Sequence, residues 1–310
     1  MHAVVNAALP IFALILTGVF CGRSGLLPPA ATDSLNRFAV YLALPALMFL
    51  AMSRLTLQQA SQVGFALAFA GGIAITFGLG FALSRWRGNR IANASIEGLD
   101  AGYSNVGFMG IPLCLLVFGP DSLPAAIIAT LFTACVLFLV AIAIVEADLH
   151  RGSSSWLTAR KVLASLIRNP LLVAPLAGFA FGMFRLGLPD PMERYLTLLG
   201  GAASPCALVC IGLFLAQERL FGGDALAIGI LVGLKLVFQP AVTAVLANYV
   251  FDVPQMWSRP AVLLSALPIG SGPFTIAKLY GLQPGITCGA ILASHVVAVG
   301  TVSILVASFG

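Results

Sequence analysis

Two runs of this chain gather Gly, Pro and small polar residues inside stretches that are otherwise apolar. The first is Asp100-Ala101-Gly102-Tyr103-Ser104-Asn105-Val106-Gly107-Phe108-Met109-Gly110-Ile111-Pro112. The second is Ala266-Leu267-Pro268-Ile269-Gly270-Ser271-Gly272-Pro273-Phe274-Thr275-Ile276-Ala277-Lys278. Glycine is a poor helix former, and proline removes a backbone donor and clashes with the preceding turn. A helix that holds both is expected to unwind. Peptide groups freed in a membrane interior cannot face lipid without a large penalty, so they are expected to line a cavity. The half-helix N-termini made by such a break offer N–H donors and about half a positive charge, which suits an anion such as a carboxylate. The substrate-binding candidates are therefore Ser104, Asn105, Val106, Gly107 and Pro112 from the first run, and Pro268, Gly270, Ser271, Gly272, Pro273 and Thr275 from the second. Asn105 supplies both a donor and an acceptor, and Ser104, Ser271 and Thr275 supply hydroxyls. The plainer reading is a pair of proline-kinked helices whose small residues allow close packing. The occurrence of two such runs favours a site.

Four ionisable residues also fall within apolar stretches: Asp100, Lys235, Lys278 and His295. Charge at such depth is costly and usually faces a bundle interior or a cavity. Each is a candidate for ion coupling or for counter-charge. Lys235, if it faces the pocket, would suit the second carboxylate of a dicarboxylate. The plainer readings are snorkelling for Asp100 and Lys278 and a hydrogen-bonded core position for His295. The six cysteines are all in apolar stretches. Cys206 and Cys210 are one helical turn apart, but no His or further Cys completes a metal site, so packing is the expected role. Neither a metal nor a cofactor is expected.

The elements that must position these residues follow from composition. The chain has 310 residues, 60% of them hydrophobic, with only 16 Lys+Arg and 11 Asp+Glu. Its mean hydropathy is +1.03. A soluble domain carries about 25% charged residues. This composition excludes a soluble enzyme, a disordered chain, a disulfide scaffold and a nucleic-acid reader, and the net charge of +5 is spread over short loops. A membrane-spanning helix needs about 20 apolar residues. Ten apolar stretches can be marked, at 3–22, 34–53, 62–84, 97–118, 123–145, 165–185, 194–216, 225–250, 260–281 and 285–308. The fold class is thus an all-α integral membrane protein of ten transmembrane helices, with spans 4 and 9 broken. The first stretch has no Lys or Arg before its apolar run, so it reads as a span and not a cleaved signal.

The two halves align at an offset near 160: Gly18 matches Gly178, Gly22 matches Gly182, Pro29 matches Pro189 and Pro45 matches Pro205. Five spans per half, an odd number, turn the second half upside down, giving the inverted repeat of many secondary transporters. The expected organisation is a first repeat at 1–150, a cytoplasmic linker at 151–164 and a second repeat at 165–310. With both termini outside, the cytoplasmic face takes Arg23, Arg37, Arg85, Arg87, Arg90, Arg151, Arg160, Lys161, Arg168 and Arg219. The outer face takes Arg54, Arg185, Arg194 and Arg259, as the positive-inside rule favours.

The run from Ser104 to Pro112 resembles the signature of the auxin efflux carrier family. Leu44-Pro45-Ala46-Leu47-Met48-Phe49, Asn169-Pro170, Ser204-Pro205-Cys206-Ala207 and Lys235-Leu236-Val237-Phe238-Gln239-Pro240 are similar to that family in order and spacing. Gly270-Ser271-Gly272-Pro273-Phe274 resembles its bacterial malonate-carrier-like members. The resemblance covers essentially the whole chain. It implies a fold like that of bile acid/sodium symporters, with a scaffold domain and a transport domain in which spans 4 and 9 cross. It also implies that Asn105 and the backbone near the two prolines hold a substrate carboxylate, and that the chain sits in a bacterial inner membrane. This chain lacks the long cytoplasmic loop of many plant members and has no Asn in the second run.

The expected function is a secondary transporter of small organic anions, such as malonate, malate or auxin-like acids, working by alternating access. It is not an enzyme: only His2, His150 and His295 are present, and no His-Glu-x-x-His or phosphate-binding loop occurs. Proton coupling or uncoupled, voltage-driven movement is preferred to sodium coupling, because the second run offers hydroxyls and carbonyls but no carboxylate. The alternatives are a sodium-coupled symporter of the bile acid type and an anion channel. Expected partners are the anion and membrane lipid, with no nucleic acid, and a homodimer is compatible with the sequence.

Overall fold

The computed structural model describes residues 2–54, 62–149, 170–184, 187–217, 224–282 and 285–309. Among them the chain is helical, apart from one isolated antiparallel bridge between Ser104 and Ile269. Helix is what an apolar chain of this kind must form, because each peptide group finds its partner within its own segment. Six helical stretches are long and apolar enough to cross a membrane: Pro29–Ser53, Val63–Trp86, Pro120–Leu149, Asp190–Phe214, Ala225–Val250 and Gly285–Ser308. The expected stretches at 225–250 and 285–308 coincide with two of these. Shorter apolar helices run over Ala13–Arg23, Val106–Phe118 and Val173–Met183. The expected linker at 151–164, together with Arg168, Asn169, Arg185 and Arg219, lies outside the described residues.

The chain divides into two compact units. The first comprises Met1–Gln62, Gly107–Ile128 and Leu166–Glu218, and the second comprises Val63–Val106, Ala129–Ser165 and Arg219–Gly310. Each therefore draws on both halves of the sequence.

In the first unit, α1 (His2–Arg23) packs on α9 (Ala203–Gln217), and α2 (Pro29–Ser53) packs on α7 (Pro170–Met183). Glycines make both contacts. A Cβ at Gly18 would lie 2.2 Å from the Val209 carbonyl oxygen, and one at Gly212 would lie 2.0 Å from that of Ile15. A Cβ at Gly178 would lie 2.3 Å from the Phe49 carbonyl oxygen, and one at Gly182 would lie 2.4 Å from that of Ser53. Backbone-to-backbone approach of this kind is how apolar helices associate in lipid, where burial itself gives no driving force. Helix α8 (Asp190–Gly201) packs on α2, and Glu193 at its start pairs with Arg54. Cys210 donates its thiol to the Thr32 carbonyl, a packing role.

In the second unit, α3 (Val63–Trp86) packs on α4 (Ile91–Gly102). Gly98 of α4 lies against Phe77, where a Cβ would meet the Phe77 ring and carbonyl at 3.0 Å. Midway along α4 the buried Glu97 is ion-paired with Arg87 and accepts from Asn89 Nδ2 at 2.9 Å. The remaining helices are the later part of α6 (Pro120–Leu149), α10 (Ala225–Val250), α11 (Gln255–Ser265), α12 (Gly272–Leu279) and α13 (Gly285–Ser308). Between α4 and α6, α5 covers Ile111–Phe118.

Three prolines are accommodated in one way. Pro45, Pro112 and Pro240 each follow a π-helical turn, at Ala39–Ala43, Val106–Gly110 and Leu234–Phe238. The wider turn removes the clash between the proline ring and the carbonyl a turn earlier.

Candidate functional site

The site begins where two helices stop. Helix α4 ends at Gly102, and Tyr103, Ser104 and Asn105 are not helical. Helix α11 ends at Ser265, and Ala266 to Ser271 are not helical before α12 starts at Gly272. In the first run the interruption precedes Gly107 and Pro112. Gly107 lies in the π turn, and Pro112 follows that turn at the start of α5. In the second run the interruption contains Pro268 and Gly270.

The two interruptions meet. Asn105 N–H donates to the Pro268 carbonyl at 2.9 Å, and Gly270 N–H donates to the Tyr103 carbonyl at 3.0 Å. These bonds flank the Ser104–Ile269 pair, and that geometry turns the peptide groups of Ser104 and Ile269 outward. The Ser104 carbonyl accepts from Val106 N–H at 2.8 Å, and Ile269 N–H donates to Ser294 Oγ at 3.0 Å.

The carbonyl ends of the stopped helices are met from one helix, α10. Gln239 Nε2 donates to the Gly102 carbonyl at 3.2 Å, and Lys235 Nζ donates to the Ser265 carbonyl at 2.5 Å. Four residues apart, the two side chains lie one above the other on one helix face. Both are fully buried.

Of the substrate-binding candidates, the second unit brings together Ser104, Asn105, Val106, Pro268, Gly270, Ser271, Gly272, Pro273 and Thr275. Gly107 and Pro112 belong to the segment Gly107–Ile128, which groups with the first unit. Ser104, Asn105, Pro268 and Gly270 are buried, whereas Ser271 and Thr275 are exposed, with Thr275 Oγ1 donating to the Ser271 carbonyl at 3.1 Å. Ser104 Oγ is buried and has no hydrogen-bond partner. Asn105 Nδ2 lies 3.3 Å from His295 Nε2.

The ionisable candidates separate. Asp100 is fully buried in the last turn of α4; its Oδ2 accepts from Thr287 Oγ1 at 2.8 Å, and its Oδ1 has no partner. Lys235 is engaged on the Ser265 carbonyl, and His295 on Asn105. Lys278 lies in α12, and its side chain is outside the described residues.

Sequence reasoning passed over four residues of this constellation: Tyr103, Gln239, Thr287 and Ser294. The Tyr103 ring covers the second interruption, so that a Cβ at Gly272 would lie 2.5 Å from its Cζ and one at Gly270 2.9 Å from its Cε1. Both glycines are thus there to make room for a ring. Gln239 carried a signal, since it lies one helical turn after Lys235 in the same apolar stretch. Ser294, which sits next to His295, and Thr287 carried none.

A pattern for the family described as "Membrane transport protein" matches residues 3–306. A Rhizobium meliloti (strain 1021) protein named "Putative malonate transporter" is 31% identical over 304 residues, covering 98% of this chain and 95% of its own length. Auxin efflux carrier component 8 of Arabidopsis thaliana is 32% identical over 147 residues, 46% of this chain and 40% of that protein. Auxin efflux carrier component 1 of the same plant is 27% identical over 142 residues, 44% of this chain and 23% of that protein. The chain thus spans less than half of these two plant relatives and nearly all of the bacterial one. Matched from end to end by its pattern, the chain belongs to the membrane transport protein family, the family of the auxin efflux carriers.

Proposed function

We propose that this transporter carries small organic anions by alternating access and binds the substrate carboxylate where the two helix interruptions cross. The observation that carries this reading is the paired exchange of peptide hydrogen bonds between 103–105 and 268–270, with the buried Ser104 hydroxyl unpartnered beside it. Asn105 supplies the amide donor, Ser104 the hydroxyl, and the start of α12 at Gly272 the favourable field. The glycine contacts support an inverted repeat of five spans in each half. Gly18 meets Val209 and Gly178 meets Phe49; Gly18 and Gly178 lie 160 positions apart, and so do Phe49 and Val209. On this reading spans 4 and 9 are the broken ones, both termini lie outside, and a proton rather than sodium accompanies the anion. The name of the Rhizobium meliloti relative makes malonate the first compound to test.

The test is a panel of mono- and dicarboxylates on the purified protein, read by calorimetry, followed by uptake into proteoliposomes. Saturable binding and accelerated exchange of labelled malonate are expected. Uptake that requires sodium moves the chain to the symporter reading. Conductance far above carrier turnover moves it to the channel reading. No binding by any carboxylate removes the anion site.

A further inference from the structure

The pairing of Asn105 with His295 sets the tautomer of the one and the amide orientation of the other. The His295 Nδ1 lies 2.9 Å from the Ile291 carbonyl oxygen, which can only accept, so Nδ1 carries a hydrogen. In the neutral ring Nε2 is then an acceptor. Asn105 must present its NH2 to it across 3.3 Å, which turns the amide oxygen away from His295. Both side chains are buried, at 7% and 8% exposure, so this choice is not shared with bulk water. In this state a carboxylate arriving on the far side of Asn105 meets an acceptor.

We propose that His295 is the proton acceptor of the transport cycle and acts by turning over the Asn105 amide. A proton from solvent adds to Nε2, and no other bond is made or broken. Nε2–H then needs an acceptor, and the Asn105 oxygen is the partner opposite it. The amide rotates half a turn, and its NH2 comes to face the carboxylate. The imidazolium forms as the anion arrives, so each charge offsets the desolvation of the other. Proton and anion binding thus become one linked event, with His295 a positioning residue. This rests on the anion reading given above.

The elements packed on α13 bring few other titratable groups. Helix α4 brings Glu97, paired with Arg87, and Asp100, which accepts from Thr287. Helix α10 brings Lys235, held on the Ser265 carbonyl, and α11 brings Arg259, whose guanidinium donates to the Phe309 carbonyl. Helix α12 carries Lys278, α13 itself carries Cys288, and the first interruption carries Tyr103. Asp100 is thus the main competitor for a proton, and its helix approaches α13 at Thr287, two turns before His295.

Malonate titrations of the purified protein, run above neutral pH in buffers of different ionisation enthalpy, count the protons taken up on binding. The expected native result is about one proton per malonate, with affinity falling about tenfold per unit rise in pH, the slope of one linked proton. His295→Gln is expected to bind with no uptake and a flat pH profile, and Asp100→Asn to retain both. Native binding without proton uptake overturns the proposal, as does uptake that survives in His295→Gln or is lost only in Asp100→Asn. Should His295→Gln not fold, Asn105→Ala tests the amide step: a slope shallower than the native one is expected, and an unchanged slope overturns the proposal. If malonate and the rest of the carboxylate panel fail to bind at every pH, the anion reading falls and this proposal with it. Binding without linkage overturns this proposal alone.

Discussion

The two units differ in what they bury. Among the described residues, Ser122 is the one buried polar side chain of the first unit; Glu97, Asp100, Ser104, Asn105, Lys235, Gln239, Thr287, Ser294 and His295 all belong to the second. The first unit is held by glycines that let apolar helices touch backbone to backbone. The second is held by polar side chains that satisfy the peptide groups left over where α4 and α11 stop. The difference teaches how one apolar chain divides its labour. Close helix packing needs no polar atom, whereas an interrupted helix in a dry interior needs a partner for every group that it exposes.

The largest expected effect belongs to the first unit. Gly212→Leu forces a side chain into the Ile15 carbonyl and should cost about 3 kcal/mol, read as a lowered unfolding temperature in detergent. An unchanged melt would mean that α1 and α9 are not in backbone contact. Next comes Asn105→Ala, which removes a hydrogen bond to a charged ligand. Malonate affinity should fall by roughly 2 kcal/mol, about 30-fold, with the unfolding temperature kept. Equal loss of affinity and stability would make Asn105 structural and blur the contrast between the units.

Gly272→Ala should cost about 1.5 kcal/mol, because the methyl group meets the Tyr103 ring. Tyr103→Leu in the same chain should recover most of that loss, and a double-mutant cycle measures the coupling. Simple additivity would separate the two positions. The smallest effect is Thr287→Val, which leaves Asp100 without its donor. It should cost about 1 kcal/mol of stability, measured by the same melt, and no loss at all would mean that the hydrogen bond is not made.

Much of the site was legible before the structure. Ser104, Asn105, Pro268 and Gly270 stood out because Gly, Pro and polar residues are costly in an apolar helix, and the two interruptions fall within those runs. The position of the first one was less legible. The prolines and glycines suggested unwinding somewhere between Asp100 and Pro112; the helix stops at Tyr103, and a π turn precedes Pro112. Lys235 stood out as a buried charge, and the sequence suggested a second carboxylate for it. Its partner is a carbonyl at the end of α11. Tyr103 gives no sign of its role in the sequence, since an aromatic ring in an apolar run looks like packing until its neighbours are known.

The amino-acid sequence alone determined that this chain is helical and membrane-embedded, where its helices weaken, and which buried residues could bear charge. These follow from composition, spacing and the cost of polar groups in hydrocarbon, all of which are local. The tertiary structure decided that residue 103 meets residue 270, that one face of α10 caps two distant helix ends, and that His295 lies beside the Asn105 amide. Such pairings join residues far apart in the chain. They depend on which helices pack together, and no periodicity encodes that.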